Sequence, residues 1–339
     1  MEISKQQEMA DVSMKRPHVV ILGAGASLAA LPNGDRTGRR LPLMNNLVEE
    51  LGLQRLISSS GLEFADNNFE KIYSALYRHP SAAEIRAQIE SLVYFYFSQL
   101  RLPDSPTIYD HLLLSLREKD VVATFNWDPL LVQAYRRNGM QGRFRLPRIL
   151  FLHGNVAAGY CEKDHVVGAV NTACSQCGVP FAPTQLLYPI EQKNYQAGKY
   201  IASQMGELQT HLKNAFMVSI FGYGAPESDV EAVRLLKVAW GDANQRDMEQ
   251  IEIIDLKSEE ELRRTWSYFI HTHHYDVHRC FYDSWIANHP RRTGEAYRNQ
   301  YLGNYAIENN PPPRNVEFDM LWQWYGQLKR VEEEVSSKI

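Results

Sequence analysis

Five short runs of apolar, largely β-branched residues recur along this chain, and each stops at a glycine or a polar residue. They are HVVIL before Gly23, VVATF before Asn126, RILFL before His153, FMVSIF before Gly222, and IEIID ending at Asp255. Each run is short enough for a strand and continuous enough to be buried on both faces. Between them, residues 42–57, 81–100, 107–119 and 228–240 carry apolar side chains at three- and four-residue spacing, which predicts helices. Strands alternating with helices predict an α/β fold, a parallel sheet with helices on both faces. Ligands of such sheets settle beyond the carboxyl ends of the strands, where Gly23, Asn126, His153, Gly222 and Asp255 all fall.

Size and charge narrow the function classes. With 339 residues and 44% hydrophobic content, the chain can bury a large core and exceeds one small domain. A net charge of −4 supplies no global field that would recruit nucleic acid or an anionic membrane, so neither partner is expected. No apolar run reaches the roughly 20 residues that span a bilayer, and the first residues lack the apolar core of a signal peptide. A cytoplasmic location is the expectation.

The first glycine turn, GAGAS at 23–27, lets backbone approach a diphosphate at the start of a helix. A hydride-transferring dinucleotide enzyme would want a third glycine where Leu28 stands. It would also want an acidic ribose partner, but the nearest acids, Glu49 and Glu50, sit inside a helical pattern. The second turn, FGYGAPESD, again follows an apolar run, and a plain strand-to-helix connection explains it equally well. Asp128 has two readings: the rim of a cleft beside Asn126, or the cap of the helix that Pro129 opens.

Four cysteines are too few for a disulfide framework. Cys174 and Cys177 have the two-residue spacing that lets two thiolates reach one zinc ion; Cys161 lies upstream and His165 is available as a fourth ligand. A loop with free thiols is the alternative. The histidine-rich stretch 271–280 reads as a half-exposed strand rather than a second metal site.

Taken in order, GAGAS at 23–27, TFNWD at 124–128, LHG at 152–154, the cysteine cluster and GYGAPESD at 222–229 resemble the sirtuin superfamily. They are most similar to its bacterial branch of NAD hydrolases associated with anti-phage defence. The resemblance implies a sirtuin-like, Rossmann-like catalytic domain over about 15–260, with a helical insert near 60–105 and a cysteine module near 155–185. Residues 261–339 would form a mostly helical extension. It implies that Gly23, Ala24, Gly25, Ala26 and Ser27 hold the NAD diphosphate, that Thr124 also binds the cofactor, and that Asn126 lies by the nicotinamide ribose. Asp128 would shape the nicotinamide side, His153 would be the catalytic histidine, and Gly222, Tyr223, Gly224 and Asp255 would line the adenosine half. It also implies a structural zinc at the cysteine cluster, homo-oligomerisation, and control by a partner such as an ATPase.

The chain departs from the protein deacylases of that superfamily. Phe125 stands where they carry glutamine, and their peptide-binding stretch is missing from PTQLLYPIEQKNY. Hydrolysis of NAD to nicotinamide and ADP-ribose, with water as nucleophile, is the expected activity. The alternatives are protein deacylation or ADP-ribosyl transfer, and a sensor or assembly subunit that binds NAD or ADP-ribose without turnover.

In the tail, the proline run 311–313 should interrupt regular structure, and the helix after it displays Met320, Leu321, Trp324 and Leu328 on one stripe. That stripe suits docking onto its own domain or onto another subunit.

Overall fold

The computed structural model describes residues 2–190, 193–196, 198–242, 244–246, 248–267, 269–270 and 274–337. Its centre is a six-stranded parallel sheet: β1 (His18–Leu22), β2 (Val121–Thr124), β3 (Arg148–Phe151), β4 (Met217–Phe221), β5 (Gln250–Ile254) and β6 (Tyr275–His278). The spatial order is β6-β5-β4-β1-β2-β3, with every neighbouring pair parallel. The chain therefore runs outward from β1 to β3, returns to the middle, and runs outward the other way from β4. The reversal lies between β1 and β4, and a crevice opens at such a point beyond the strand ends.

Alternation along the strands divides the core. Val20, Leu22 and Val122 face one apolar cluster, whereas Val19, Ile21, Val121 and Ala123 face the other. The principal helices are α1 (Ala24–Ala30), α2 (Phe69–Arg78), α3 (Ala83–Ser98), α4 (Ile108–Leu114), α5 (Leu130–Gly139), α6 (Lys199–Asn214), α7 (Val230–Trp240) and α8 (Phe318–Ser336). Residues of α1 to α5 and α8 join the first cluster, and residues of α6 and α7 the second, so both faces of the sheet are covered. Three short strands, Ala158–Cys161, Val166–Ala169 and Ala182–Pro183, make a separate antiparallel sheet around the cysteines. No helix among the described residues is long and apolar enough to cross a membrane.

Some expectations need correction. The helix expected over 42–57 is two short turns, Leu47–Glu50 and Gln54–Ser58, because Gly52 adopts φ +64° between them. Of the histidine-rich stretch, 271–273 lie outside the described residues, while Tyr275–His278 forms the half-buried edge strand β6. The stripe on α8 is also displaced. Met320 is 53% exposed, and Leu321, Tyr325 and Leu328 are the buried side chains. Tyr325 Oη lies 2.8 Å from Ser115 Oγ and donates to the His111 carbonyl at 3.1 Å, so α8 docks onto its own chain.

Candidate functional site

The strand register brings the polar strand ends side by side. Leu22 pairs with both Thr124 and Phe221, and Thr124 pairs with Phe151, so Gly23, Asn126, His153 and Gly222 emerge at one edge of the sheet. The two glycine turns touch there. Gly23 N–H donates to the Phe221 carbonyl and Gly25 N–H to the Gly222 carbonyl, each at 3.0 Å. Gly222 takes φ +59°, and a Cβ on it would lie 2.4 Å from the Ala26 nitrogen. The second turn thus needs glycine in order to seat the first.

A cleft opens at this edge. Gly23, Ala24, Asn126, Asp128, His153, Gly222, Tyr223 and Gly224 line it, as does the aromatic wall of Phe97, Phe125 and Trp127. The helical segment between β1 and β2 covers it with Leu41–Met44, Phe97 and Glu70, and Glu70 accepts a hydrogen bond from Ser228 N–H at 3.2 Å. Five of the expected residues stand outside the cleft wall. Gly25 and Ala26 face the Gly222 backbone, Thr124 Oγ1 accepts from Asn126 N–H, and Asp255 Oδ1 accepts from Lys257 N–H. Ser27 is fully buried, and its role is to tie neighbours together.

That tie is a closed network. Ser27 Oγ donates to Asp128 Oδ2 at 2.7 Å, which leaves Tyr109 Oη, 2.6 Å away, to donate to Ser27. Asn126 Nδ2 donates to the Gly23 carbonyl at 2.8 Å and to Ser27 Oγ at 2.9 Å. Because a carbonyl can only accept, this contact fixes which end of the amide is nitrogen. Asn126 Oδ1 has no partner among the described residues and is the acceptor left for a ligand. Asp128 fills both of its anticipated roles at once: it borders the cleft, and Oδ1 accepts from Leu130 N–H at 3.1 Å at the start of α5. Burial pushes its carboxyl up to about 6, against the hydrogen bonds from Ser27 and Leu130.

His153 is held from both sides. Its backbone carbonyl accepts from Leu187 N–H at 2.9 Å, and the next residue, Gly154, takes φ +74° against the Gln185 carbonyl, where a Cβ would sit at 2.2 Å. The ring lies edge-on to Phe125, which stacks on Tyr223 with centroids 4.1 Å apart. Nε2 is 2.6 Å from Tyr195 Oη and 3.5 Å from Asp229 Oδ1. Burial, reinforced by the Lys193 ammonium and opposed by Asp229, lowers the imidazole to about 3. His153 is therefore neutral at neutral pH.

Lys193, Tyr195 and Asp229 were not anticipated as site residues. Asp229 accepts from Lys193, from Tyr195 at 3.2 Å and from Tyr223 at 2.9 Å. Burial alone would raise its carboxyl, but the charges around it, Lys193 foremost among the permanent ones, and these hydrogen bonds hold it below the usual range. The acid of GYGAPESD was the one local signal. Lys193 and Tyr195 come from a segment with no motif.

In the cysteine module, Cys161, Asp164, Cys174 and Cys177 offer ligand atoms that all lie within 4.8 Å of one another. The Cys161 and Cys177 sulfurs are 3.6 Å apart, close to the roughly 3.8 Å spanned by two thiolates on a tetrahedral zinc. The donor set therefore fits zinc, which would pin the small sheet. His165 is not in the set. It takes φ +55°, and Nδ1 is 2.7 Å from Tyr160 Oη, so the adjacent Asp164 turns inward instead.

No protein-family model matches the chain, and no curated protein does. Solved structures do. Among the chains it resembles are Sir2 proteins. "Sir2 bound to acetylated peptide" aligns over 86% of this chain and 94% of that chain at 16% identity, with a TM-score of 0.40. "Structural Basis for the Mechanism and Regulation of Sir2 Enzymes" aligns over 96% and 99% at 14% identity, TM-score 0.40, and "Sir2-p53 peptide-NAD+" over 90% and 99% at 15%, TM-score 0.38. At such values the functional reading rests on this chain's own residues.

Proposed function

We propose that the cleft binds NAD and hydrolyses its nicotinamide–ribose bond, releasing nicotinamide and ADP-ribose. The observation that carries this reading is the convergence of the interlocked glycine turns, the free acceptor of Asn126 and the neutral ring of His153 on one aromatic-walled cleft at the sheet's reversal point. Dinucleotides bind at that point of parallel sheets. The motif resemblance to sirtuin-like NAD hydrolases agrees with it.

The glycosidic bond of NAD breaks with its electron pair going to the pyridinium nitrogen, and nicotinamide leaves neutral. The cationic ribosyl centre then takes a water oxygen, whose proton needs an acceptor. In this reading Asn126 Oδ1 accepts from a ribose hydroxyl or the attacking water, and His153 accepts the proton. A histidine lowered to about 3 is a weak base, but attack on a carbocation-like centre asks for no strong one. The apolar walls of Phe97, Phe125 and Trp127 keep bulk solvent away from the reacting centre, which strengthens the electrostatics inside around the single attacking water. A defence role through NAD depletion, with control by self-assembly or by an ATPase partner, belongs to this reading on the motif resemblance alone.

The test is nicotinamide release from NAD, followed by chromatography, for the parent, Asn126→Ala and His153→Ala, each shown to be folded. Release by the parent with loss in both variants supports hydrolysis at this cleft. Release only when an acylated peptide is added would replace hydrolysis by deacylation. NAD binding without release would leave a sensor, and full release by both variants would move the active site elsewhere.

A further inference from the structure

We infer that Tyr195 is a positioning residue that, with Asp229, fixes His153 as the tautomer protonated on Nε2, leaving Nδ1 as the proton acceptor toward the cleft. The inference deepens the hydrolase reading and rests on it for its catalytic consequence. Its basis is a count of protons along a short chain of hydrogen bonds.

Asp229, held ionised by its neighbours, can only accept, and both oxygens are in use: Oδ1 receives Lys193 and Tyr195, and Oδ2 receives Tyr223. Lys193 lies buried beside it and also donates to Ser228 Oγ at 3.1 Å, so the carboxylate charge is matched without help from the histidine. Tyr195 has one hydroxyl proton. A carboxylate outcompetes a neutral imidazole for it, so the proton points to Asp229 at 3.2 Å. The 2.6 Å contact between Tyr195 Oη and His153 Nε2 must then be donated by the histidine. Asp229 Oδ1, 3.5 Å from the same Nε2, also favours a proton there. Nδ1 has no partner among the described residues, and His153 borders the cleft.

The arrangement suits a base. As the water oxygen bonds to the ribosyl carbon, its proton passes to Nδ1, and the imidazolium so formed is stabilised through Nε2–H by Tyr195 and the Asp229 charge. Lys193 keeps Asp229 from holding His153 charged beforehand. Loss of the Tyr195 hydroxyl leaves only the longer contact to Asp229, so both tautomers become populated.

The test is ¹⁵N NMR of the protein labelled at histidine, with the His153 signals assigned by comparison with His153→Gln. The expected wild-type result near neutral pH is a protonated Nε2 and an unprotonated Nδ1. Tyr195→Phe is expected to mix the tautomers and lower kcat for nicotinamide release by roughly ten- to a hundredfold with little change in KM. It should also shift the acidic limb of the pH profile. A proton on Nδ1 in the wild type overturns the inference, whatever the variant does. So does a Tyr195→Phe protein whose tautomer and kcat both match the parent. The expected tautomer in a protein that releases no nicotinamide would uphold the positioning role and remove the hydrolase reading, which keeps the two claims separable.

Discussion

Gly222→Ala offers a quantitative test of how the cleft is built. Two costs fall on this one methyl group. The residue sits at φ +59°, a left-handed conformation that costs a non-glycine residue about 1–2 kcal/mol. The methyl would also stand 2.4 Å from the Ala26 nitrogen and 2.5 Å from the Gly25 carbonyl carbon, both backbone atoms that cannot rotate away. Relief requires the first glycine turn to move off the second, breaking the 3.0 Å bond from Gly25 N–H to the Gly222 carbonyl. Together these amount to roughly 3 kcal/mol, or a fall in melting temperature of about 4 °C for a chain of this size. Gly224→Ala is the internal control: it borders the same cleft, yet no atom lies within 4 Å of its added methyl. Thermal unfolding with and without NAD should show Gly222→Ala destabilised and unresponsive to NAD, and Gly224→Ala close to the parent. Equal melting temperatures for the two variants would refute the interlocked-turn argument.

Asp128 makes stability depend on pH. Its folded carboxyl, raised from 3.8 to about 6, holds a proton the unfolded chain has lost, so its contribution is full below about 4 and declines as pH rises through 6. Asp128→Asn should therefore gain on the parent between those limits, by roughly 3 kcal/mol at most, in denaturant unfolding at stepped pH. At the cysteine module, native mass spectrometry should find one zinc per parent chain; Cys174→Ser and Asp164→Ala should lose it, and His165→Ala should keep it. Leu321→Ala, at a fully buried position of α8, should cost about 2–5 kcal/mol in the same unfolding assay. Met320→Ala, at a half-exposed position, should cost well under 1 kcal/mol.

What the sequence discloses is whatever lies in local pattern. The five apolar runs become five strands of one sheet because burial on both faces leaves no other use for them, and their polar ends converge because parallel strands end at one edge. Asn126, Asp128 and His153 could be picked out on that ground. What escapes is pairing across distance. Lys193 and Tyr195 reach Asp229 from 36 and 34 residues away, and no spacing rule links them. His165 and Asp164 are neighbours, so cysteine spacing cannot choose between them, and a left-handed backbone at His165 decides it. The apolar stripe of α8 included Met320 because helical periodicity cannot fix rotation to better than one residue. Gly222, Tyr223 and Gly224 were expected to line the adenosine half of a site, and all three border the cleft. Nothing in the local pattern reveals that Gly222 also carries the first turn.

The measurement that tests the central claim most directly is a product balance for the purified protein given NAD and no other substrate. Hydrolysis at this cleft predicts nicotinamide and ADP-ribose in equal amounts, with both products lost together in Asn126→Ala. Nicotinamide without free ADP-ribose would mean that an acceptor other than water takes the ribosyl group. Intact NAD beside a folded, NAD-binding protein would contradict catalysis by this chain alone.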